Sequence, residues 1–292
     1  MQTTPDIAPP TLERLGPPDV PEVITYLDVD PVLHVYLLAL VLRDALARPR
    51  DEYWVARRAG RITALLFLGG TSGAVLPVGD DLEGLRLLGE QAKQRADLLP
   101  RRFQVIGPRH AVDALLERFP SDVIAPRLTR EQTYLALEPN DLPAIERLPE
   151  LRAARREDYS LLYETGAALR AEELLEDPRE VDAIAYARRV EEDCRDGHTL
   201  VWRDARGLIF RAGLSALTAD AAQISGVYTL PEMRGQSIAT RALAEMCLRM
   251  FARSRSVCLF VNNVNEPALK LYRRLGFRVR SPWASVFYDL PR

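Results

Sequence analysis

At 292 residues, with 47% hydrophobic, 27% charged and 7% aromatic positions, the chain has material for about two domains of ~150 residues. That balance excludes a disordered, collagen-like or coiled-coil protein. Its 39 basic and 41 acidic residues leave a net charge of −2, so no chain-wide positive field argues for nucleic acid or an anionic membrane surface. Cys194, Cys247 and Cys258 form no C-x-x-C pair. They argue against a disulfide scaffold or a cysteine-rich zinc site and suit a reducing cytoplasm.

Met1–Pro18 is proline-rich and polar and lacks the apolar stretch of a secretory signal. Val32–Leu42 is the most apolar run, about 11 residues where a membrane span needs roughly 20, and it reads as a buried helix. Tyr53–Arg57, Ile62–Leu68 and Ala74–Val78 read as strands. A helix over Leu82–Leu98, a strand over Phe103–Ile106, a helix over Ala111–Phe119 and a strand over Gln132–Leu137 follow.

Glu138–Pro149 gathers prolines and acidic residues and marks a boundary. Beyond it, a short strand near Leu151–Ala154 precedes helices over Arg156–Leu175 and Val181–Arg195. Strands follow at Thr199–Trp202, Leu208–Leu217 and Ala222–Leu230. Apolar spacing then predicts an amphipathic helix over Gln236–Arg253. Val257–Val261 is the kind of apolar strand buried on both faces. A helix over Glu266–Leu275 has Asn265 as N-cap and Gly276 as its stop, and short strands at Phe277–Val279 and Ala284–Tyr288 close the chain. Three strands, helix, strand, helix, strand thus occurs twice, about 150 residues apart, which reads as an internal duplication. The expected domains are 1–142 and 143–292, each α/β (α+β).

The chemistry concentrates where the third strand of the second half turns into its long helix. The first turn of a helix carries N–H groups without internal partners and a partial positive charge. Small residues there let a phosphate reach those groups, and Arg234 adds a permanent cation. By itself the loop is equally an ordinary strand-to-helix turn.

Two motifs together decide the matter. Arg234, Gly235, Gln236, Ser237, Ile238 and Ala239 match Arg/Gln-x-x-Gly-x-Gly/Ala. Some 30 to 35 residues later, Asn265, Ala268, Tyr272, Gly276 and Phe277 match Asn-x-x-Ala and Tyr-x-x-x-Gly-Phe. In this order the segment resembles the GNAT superfamily of acetyl-CoA-dependent N-acetyltransferases over roughly residues 150–292. The first half resembles it only in its order of elements, as in tandem members with a degenerate first domain. The resemblance implies two tandem domains, each with a mixed, mostly antiparallel sheet flanked by helices. It implies acetyl transfer to a primary amine by direct attack on the thioester, with no metal and no acyl-enzyme.

The resemblance also implies roles. The backbone of Val227, Tyr228 and Thr229 would splay from its neighbour and hold the pantetheine arm. N–H groups from Gly235 to Ala239 would bind the pyrophosphate with help from Arg234, Asn265 would touch the coenzyme near the pantetheine, and Tyr272 would protonate the departing thiolate. The chemistry agrees: preorganised donors stabilise the developing oxyanion, and a phenol of pKa ~10 is protonated at pH 7.

Ser237 stands where the family usually has glycine, and as a residue entering a helix it is expected at negative φ. The third strand of the second half has no carboxylate, so Glu172, Glu173, Asp177 or a water chain are the candidates for general base. At the matching junction of the first half, Asp80, Asp81 and Glu83 would satisfy the helix dipole themselves and repel a pyrophosphate, so no CoA is expected there. His34, His110 and His198 show no metal spacing, and no G-x-S-x-G or Walker loop occurs. The acceptor, a small-molecule or peptide amine, is not legible, and a homodimer stays open. A non-catalytic acyl-CoA-binding or sensor protein is the alternative, and an interaction module the second.

Overall fold

The computed structural model describes residues 9–119, 124–205 and 207–290. Residues 1–8, part of the stretch Met1–Pro18 expected to lack a secretory signal, lie outside them. The strands are β1 (Thr11–Leu15), β2 (Asp51–Arg58), β3 (Arg61–Gly69), β4 (Ala74–Gly79), β5 (Arg102–Pro108), β6 (Leu128–Leu137), β7 (Arg152–Ala153), β8 (Thr199–Asp204), β9 (Gly207–Leu217), β10 (Ala221–Thr229), β11 (Ser256–Asn262) and β12 (Arg278–Asp289). The α-helices are α1 (Val20–Leu27), α2 (Val35–Asp44), α3 (Leu82–Gln94), α4 (Arg109–Leu116), α5 (Tyr159–Leu174), α6 (Pro178–Asp196), α7 (Ile238–Phe251) and α8 (Glu266–Arg274). The protein is mixed α/β with mostly antiparallel pairing, as the sequence predicts.

Two compact units divide the chain, and neither is one continuous segment. The first takes residues 1–134, 261–264 and 280–292; the second takes 135–260 and 265–279. In the first unit β1, β2, β3 and β4 pair antiparallel in order, β4 and β5 run parallel, and β12 closes antiparallel on β5. β3 shows why its apolar run is continuous. Leu65 and Phe67 pack with Val23, Leu27, Leu38 and Val41 of α1 and α2, while Leu66 and Leu68 pack with Leu85, Leu88, Ala111 and Leu115 of α3 and α4. Alternate side chains of one strand therefore feed two cores. The Val32–Leu42 run lies largely in α2, with Leu37, Leu38, Leu40 and Val41 buried. Among the described residues no helix is long and apolar enough to cross a membrane.

Two local expectations give way. The closing strands are one continuous β12, because Pro282 sits just before the register with β5 begins at Trp283, where its missing N–H breaks none of those pairs. The helix expected to reach Leu98 ends at Gln94 and yields to a 3-10 turn over Ala96–Leu98. β1 and α1 lay unread in the proline-rich start.

In the second unit β7, β8, β9 and β10 pair antiparallel, and β10 and β11 pair parallel. Val201 and Leu208 pack with Leu162, Ala167, Tyr186 and Val190 of α5 and α6. The adjacent Trp202 faces the other way, under the Arg241 guanidinium of α7 at 5.5 Å. The sheet therefore lies between α5–α6 and α7. α6 is kinked at Asp182 (φ −159°, ψ 84°), whose Oδ1 accepts from Ala185 N at 3.0 Å. That carboxylate caps the second part of the helix from inside it. After α8 the chain turns at Gly276 (φ +91°), where an added Cβ would lie 2.2 Å from the Asp141 carbonyl oxygen. Only glycine fits there, which gives the Gly-Phe pair a packing reason.

Candidate active site

The parallel pairing of β10 and β11 covers only Ala221–Gln223 against Ser256–Cys258. Beyond Gln223 the register with β9 shifts as well, between Ser225 and Tyr228, with one extra residue on β10 and Gly226 at φ +59°. A bulge of this kind bends its strand and re-aims the groups that follow it. Val227, Tyr228 and Thr229 therefore leave β11 while Tyr228 and Thr229 stay paired to Arg211 and Phe210 of β9. The pairing of β10 with β11 thus ends before these three residues. α7 follows the carboxyl end of β10 directly, and parallel strands parting above a helix start are where open α/β sheets take ligands.

The turn between β10 and α7 is exposed from Arg234 to Ser237. Among the described residues no side chain caps α7, whose first backbone bond runs from Arg241 N to Ser237 O at 3.1 Å. The N–H groups of its first turn face outward with the positive end of the helix dipole. Gly235 has φ +76°, and an added Cβ would meet nothing within 4 Å, so its backbone is bare on that side. Ser237 corrects the expectation for this position: its φ is +59°, left-handed, and not negative. The helix starts only at Ile238, so Ser237 belongs to the turn and shares its left-handed backbone with Gly235. For a residue with a Cβ that conformation costs roughly 1 kcal/mol. Ser237→Gly should raise unfolding stability by about 0.5–1 kcal/mol in urea titration, with CoA affinity unchanged.

α3 of the first unit starts differently. Asp81 caps it, accepting from Gly84 N at 3.1 Å, and is itself held by Arg58 (2.7 and 3.0 Å) and Thr63 (2.8 Å). The Arg58 guanidinium holds this carboxyl down at about 2. A fixed anion already occupies the N-terminus where the second unit leaves N–H groups open.

Arg234 folds back onto β10. Its Nε donates to Thr229 O at 3.0 Å, its Nη2 donates to both carboxylate oxygens of Glu172 at 2.9 and 3.0 Å, and its guanidinium lies 5.4 Å from the Tyr228 ring centroid. Arg234, Tyr228 and Thr229 are thus in direct contact, and Glu172 from the end of α5 joins them. Asn265 caps α8 through Oδ1, which accepts from Ala268 N at 3.2 Å, so the NH2 of its amide is the group left for a ligand. Gln236 turns its side chain to Glu232 O at 3.2 Å, leaving its backbone to the loop. Ile238 is buried and Ala239 partly so; they anchor the helix start.

Tyr272 is buried on α8, edge-on to Phe277 at 5.6 Å between centroids. Burial pushes its phenol above the ordinary tyrosine range, with Glu173 and Cys247 adding in the same direction. It keeps its proton across the physiological range. Asp177, another of the candidate bases, is the N-cap of α6 and is chelated by Arg179.

Arg211 escaped the sequence reading. This arginine, 7% exposed in the middle of β9, donates through Nη1 to Leu162 O at 3.2 Å, and Nη2 lies 3.6 Å from Asp193. Its Nε has no hydrogen-bond partner. Burial lowers its pKa from the usual arginine value. The signal was an arginine inside the apolar run Leu208–Leu217. Among the described residues no group of three or more His, Cys, Asp or Glu side chains is placed to hold a metal ion.

Residues 167–277 match the model of the Acetyltransferase (GNAT) family. The chain is similar in fold to a GCN5-related N-acetyltransferase from Sphaerobacter thermophilus (TM-score 0.61, 19% identity, 99% of this chain and 98% of that one). It is also similar to a tandem GNAT protein from the clavulanic acid biosynthesis pathway (TM-score 0.55, 17% identity, 97% and 100%) and to a Drosophila protein (TM-score 0.67, 14% identity, 96% and 98%). No curated protein matches it in sequence. At these identities the likenesses show the fold.

Proposed function

We propose that residues 167–277, which match the model of the Acetyltransferase (GNAT) family, form an acetyltransferase domain, and that the second unit transfers an acetyl group from acetyl-CoA to a primary amine. The observation that carries the reading is the parting of β10 from β11 beyond Gln223 beside the uncapped start of α7. The residues present fit the coenzyme. The bare backbone at Gly235 and the N–H groups through Ala239 suit a diphosphate, and Arg234 supplies a cation. The free edge of Val227, Tyr228 and Thr229 suits the amides of the pantetheine arm, with Asn265 beside it. The coenzyme supplies an activated acyl group as a thioester.

The chain's own part is positioning and charge. A main-chain N–H on the freed stretch of β10 would meet negative charge developing on the carbonyl oxygen, in place before the reaction begins. Tyr272 would donate its proton to the departing sulfur. The first unit, whose α3 start is filled by Asp81, would bind no CoA and act as a partner domain. The acceptor is a small-molecule or peptide amine, met without nucleic acid or membrane, in a cytoplasmic protein.

The test is calorimetry with CoA, followed by a thiol-release assay with acetyl-CoA against alkylamines, an aminoglycoside, a peptide with a free amino terminus and a lysine side chain. The expected result is one CoA per chain and amine-dependent thiol release. Arg234→Ala should weaken CoA roughly tenfold, as loss of a charge-assisted contact to a phosphate does. Binding of CoA without thiol release from any amine would favour a sensor. Absence of CoA binding would overturn the reading.

A further inference from the structure

The contacts of Arg234 raise a conflict that resolves into a mechanism. The guanidinium best placed to meet a diphosphate is already held by the Glu172 carboxylate through two short bonds. Both side chains are about half exposed, so the pair can open without unfolding anything, and an exposed pair is worth at most about 1 kcal/mol. A diphosphate offers Arg234 more negative charge than one carboxylate does. Glu172 has a definite place. It sits one helical step (i, i+3) after Leu169, whose side chain lies 3.7 Å from where a Cβ on Gly226 would be. Leu169 and Glu172 therefore share a face of α5, over the bulge and over Tyr228 just beyond it.

Resting on the acetyltransferase reading, we propose that Arg234 is exchanged between Glu172 and the diphosphate of the coenzyme. The coenzyme would thereby release Glu172 to receive the acceptor ammonium and take its proton. In that step an N–H bond of the ammonium breaks, the proton goes to a Glu172 oxygen and the electron pair stays on nitrogen. The pair then forms the N–C bond as the C–S bond breaks. Tyr272 protonates the sulfur and regains a proton from the nitrogen, and Glu172 returns its own to water.

The design lets one carboxylate serve twice. Without coenzyme it is neutralised by Arg234 and attracts no amine; with coenzyme it is an anion beside the parted strands, bonded by the Tyr228 hydroxyl and no longer paired to a cation. Among the described residues, the charged and titratable groups near it include Arg234 from the turn before α7, Tyr228 from β10 with Glu232 beside that ring and, on and after its own helix, Glu173 and the Arg170–Glu176 pair. Arg234 is the cation bonded to it, so its removal changes the environment of Glu172 most.

Glu172→Gln tests both halves. CoA titrated by calorimetry at pH 8 should bind the variant about two- to fivefold tighter than wild type, because the competitor for Arg234 is gone. With the amine on which wild type has the highest kcat/KM, the variant's kcat should fall on the order of a hundredfold and lose its acid limb. Glu172→Asp should recover part of the rate. Glu164→Gln, on the same helix and paired only at the surface with Arg179, should change neither quantity. Unchanged CoA affinity in Glu172→Gln, or an acid limb that survives it, overturns the proposal while leaving the acetyltransferase intact. Failure of wild type to bind CoA overturns the reading beneath it.

Discussion

Tyr272→Phe is expected to lower kcat for acetyl transfer about a hundredfold or more, with CoA affinity within twofold of wild type. The ring is buried and packs on Phe277, so removing one oxygen leaves the packing in place. What is lost is a positioned proton donor, worth typically ~10²–10⁴ in rate. Because burial raises the phenol's pKa, the donor form persists as pH rises. The wild-type kcat should therefore show no basic limb from this group below pH ~10. Steady-state kinetics of both proteins from pH 6 to 10, with calorimetry of CoA, checks the split. An equal loss in kcat and in CoA affinity would instead mark Tyr272 as a packing residue alone.

Glu245→Ala is expected to cost about 3 kcal/mol of unfolding free energy, measured in urea. Glu245 lies on the buried side of α7, 2% exposed, and accepts from Arg147 at 2.7 Å, from Arg249 at 2.8 Å and from Leu148 N at 3.2 Å. Removing one member of such a group strands its partners, at a cost of roughly 3–5 kcal/mol when all are buried; the exposure of Arg147 places this case at the lower end. The Arg147 guanidinium, with Arg249 and the Leu148 N–H, holds the carboxyl down at about 2, against an ordinary 4.5. A depressed folded-state value means that the stabilisation is fully present above pH ~4.5 and fades as pH falls toward 2. Glu245→Gln should flatten the stability profile across that window, and the two proteins should converge at its acid end. Because α7 carries the start that we assign to the diphosphate, Glu245→Ala should lower its melting point without changing CoA affinity at 20 °C.

Sequence made the second half legible because its signals were redundant. β10 and α7 each combine a period with motif residues, and α8 adds a cap through Asn265, so these elements could be placed before their geometry was known. What stayed hidden depends on partners distant in sequence. Glu172 read only as one of several candidate bases, and only folding brings it onto Arg234, 62 positions away in sequence. Glu245 lies within the predicted amphipathic helix Gln236–Arg253, but its partners Arg147 and Leu148 come from the segment between the halves. Ser237 misled for a local reason. It sits one residue before the helix, and the turn needs a left-handed residue there. β1 and α1 lay behind prolines, which obscure any period, although Pro17, Pro18 and Pro21 stand at the starts of a 3-10 turn and a helix, where proline is tolerated.

The way the chain is shared between its units limits how the protein can be taken apart. Residues 283–289 of β12 pair with β5, so a fragment ending at 142 would leave that edge bare, with a row of unmet N–H and C=O groups inviting aggregation. A fragment beginning at 143 would carry the same strand without β5 to receive it. Neither piece should be soluble when expressed separately. Co-expression of the two should rescue both, as happens when a cut falls between segments that still need each other.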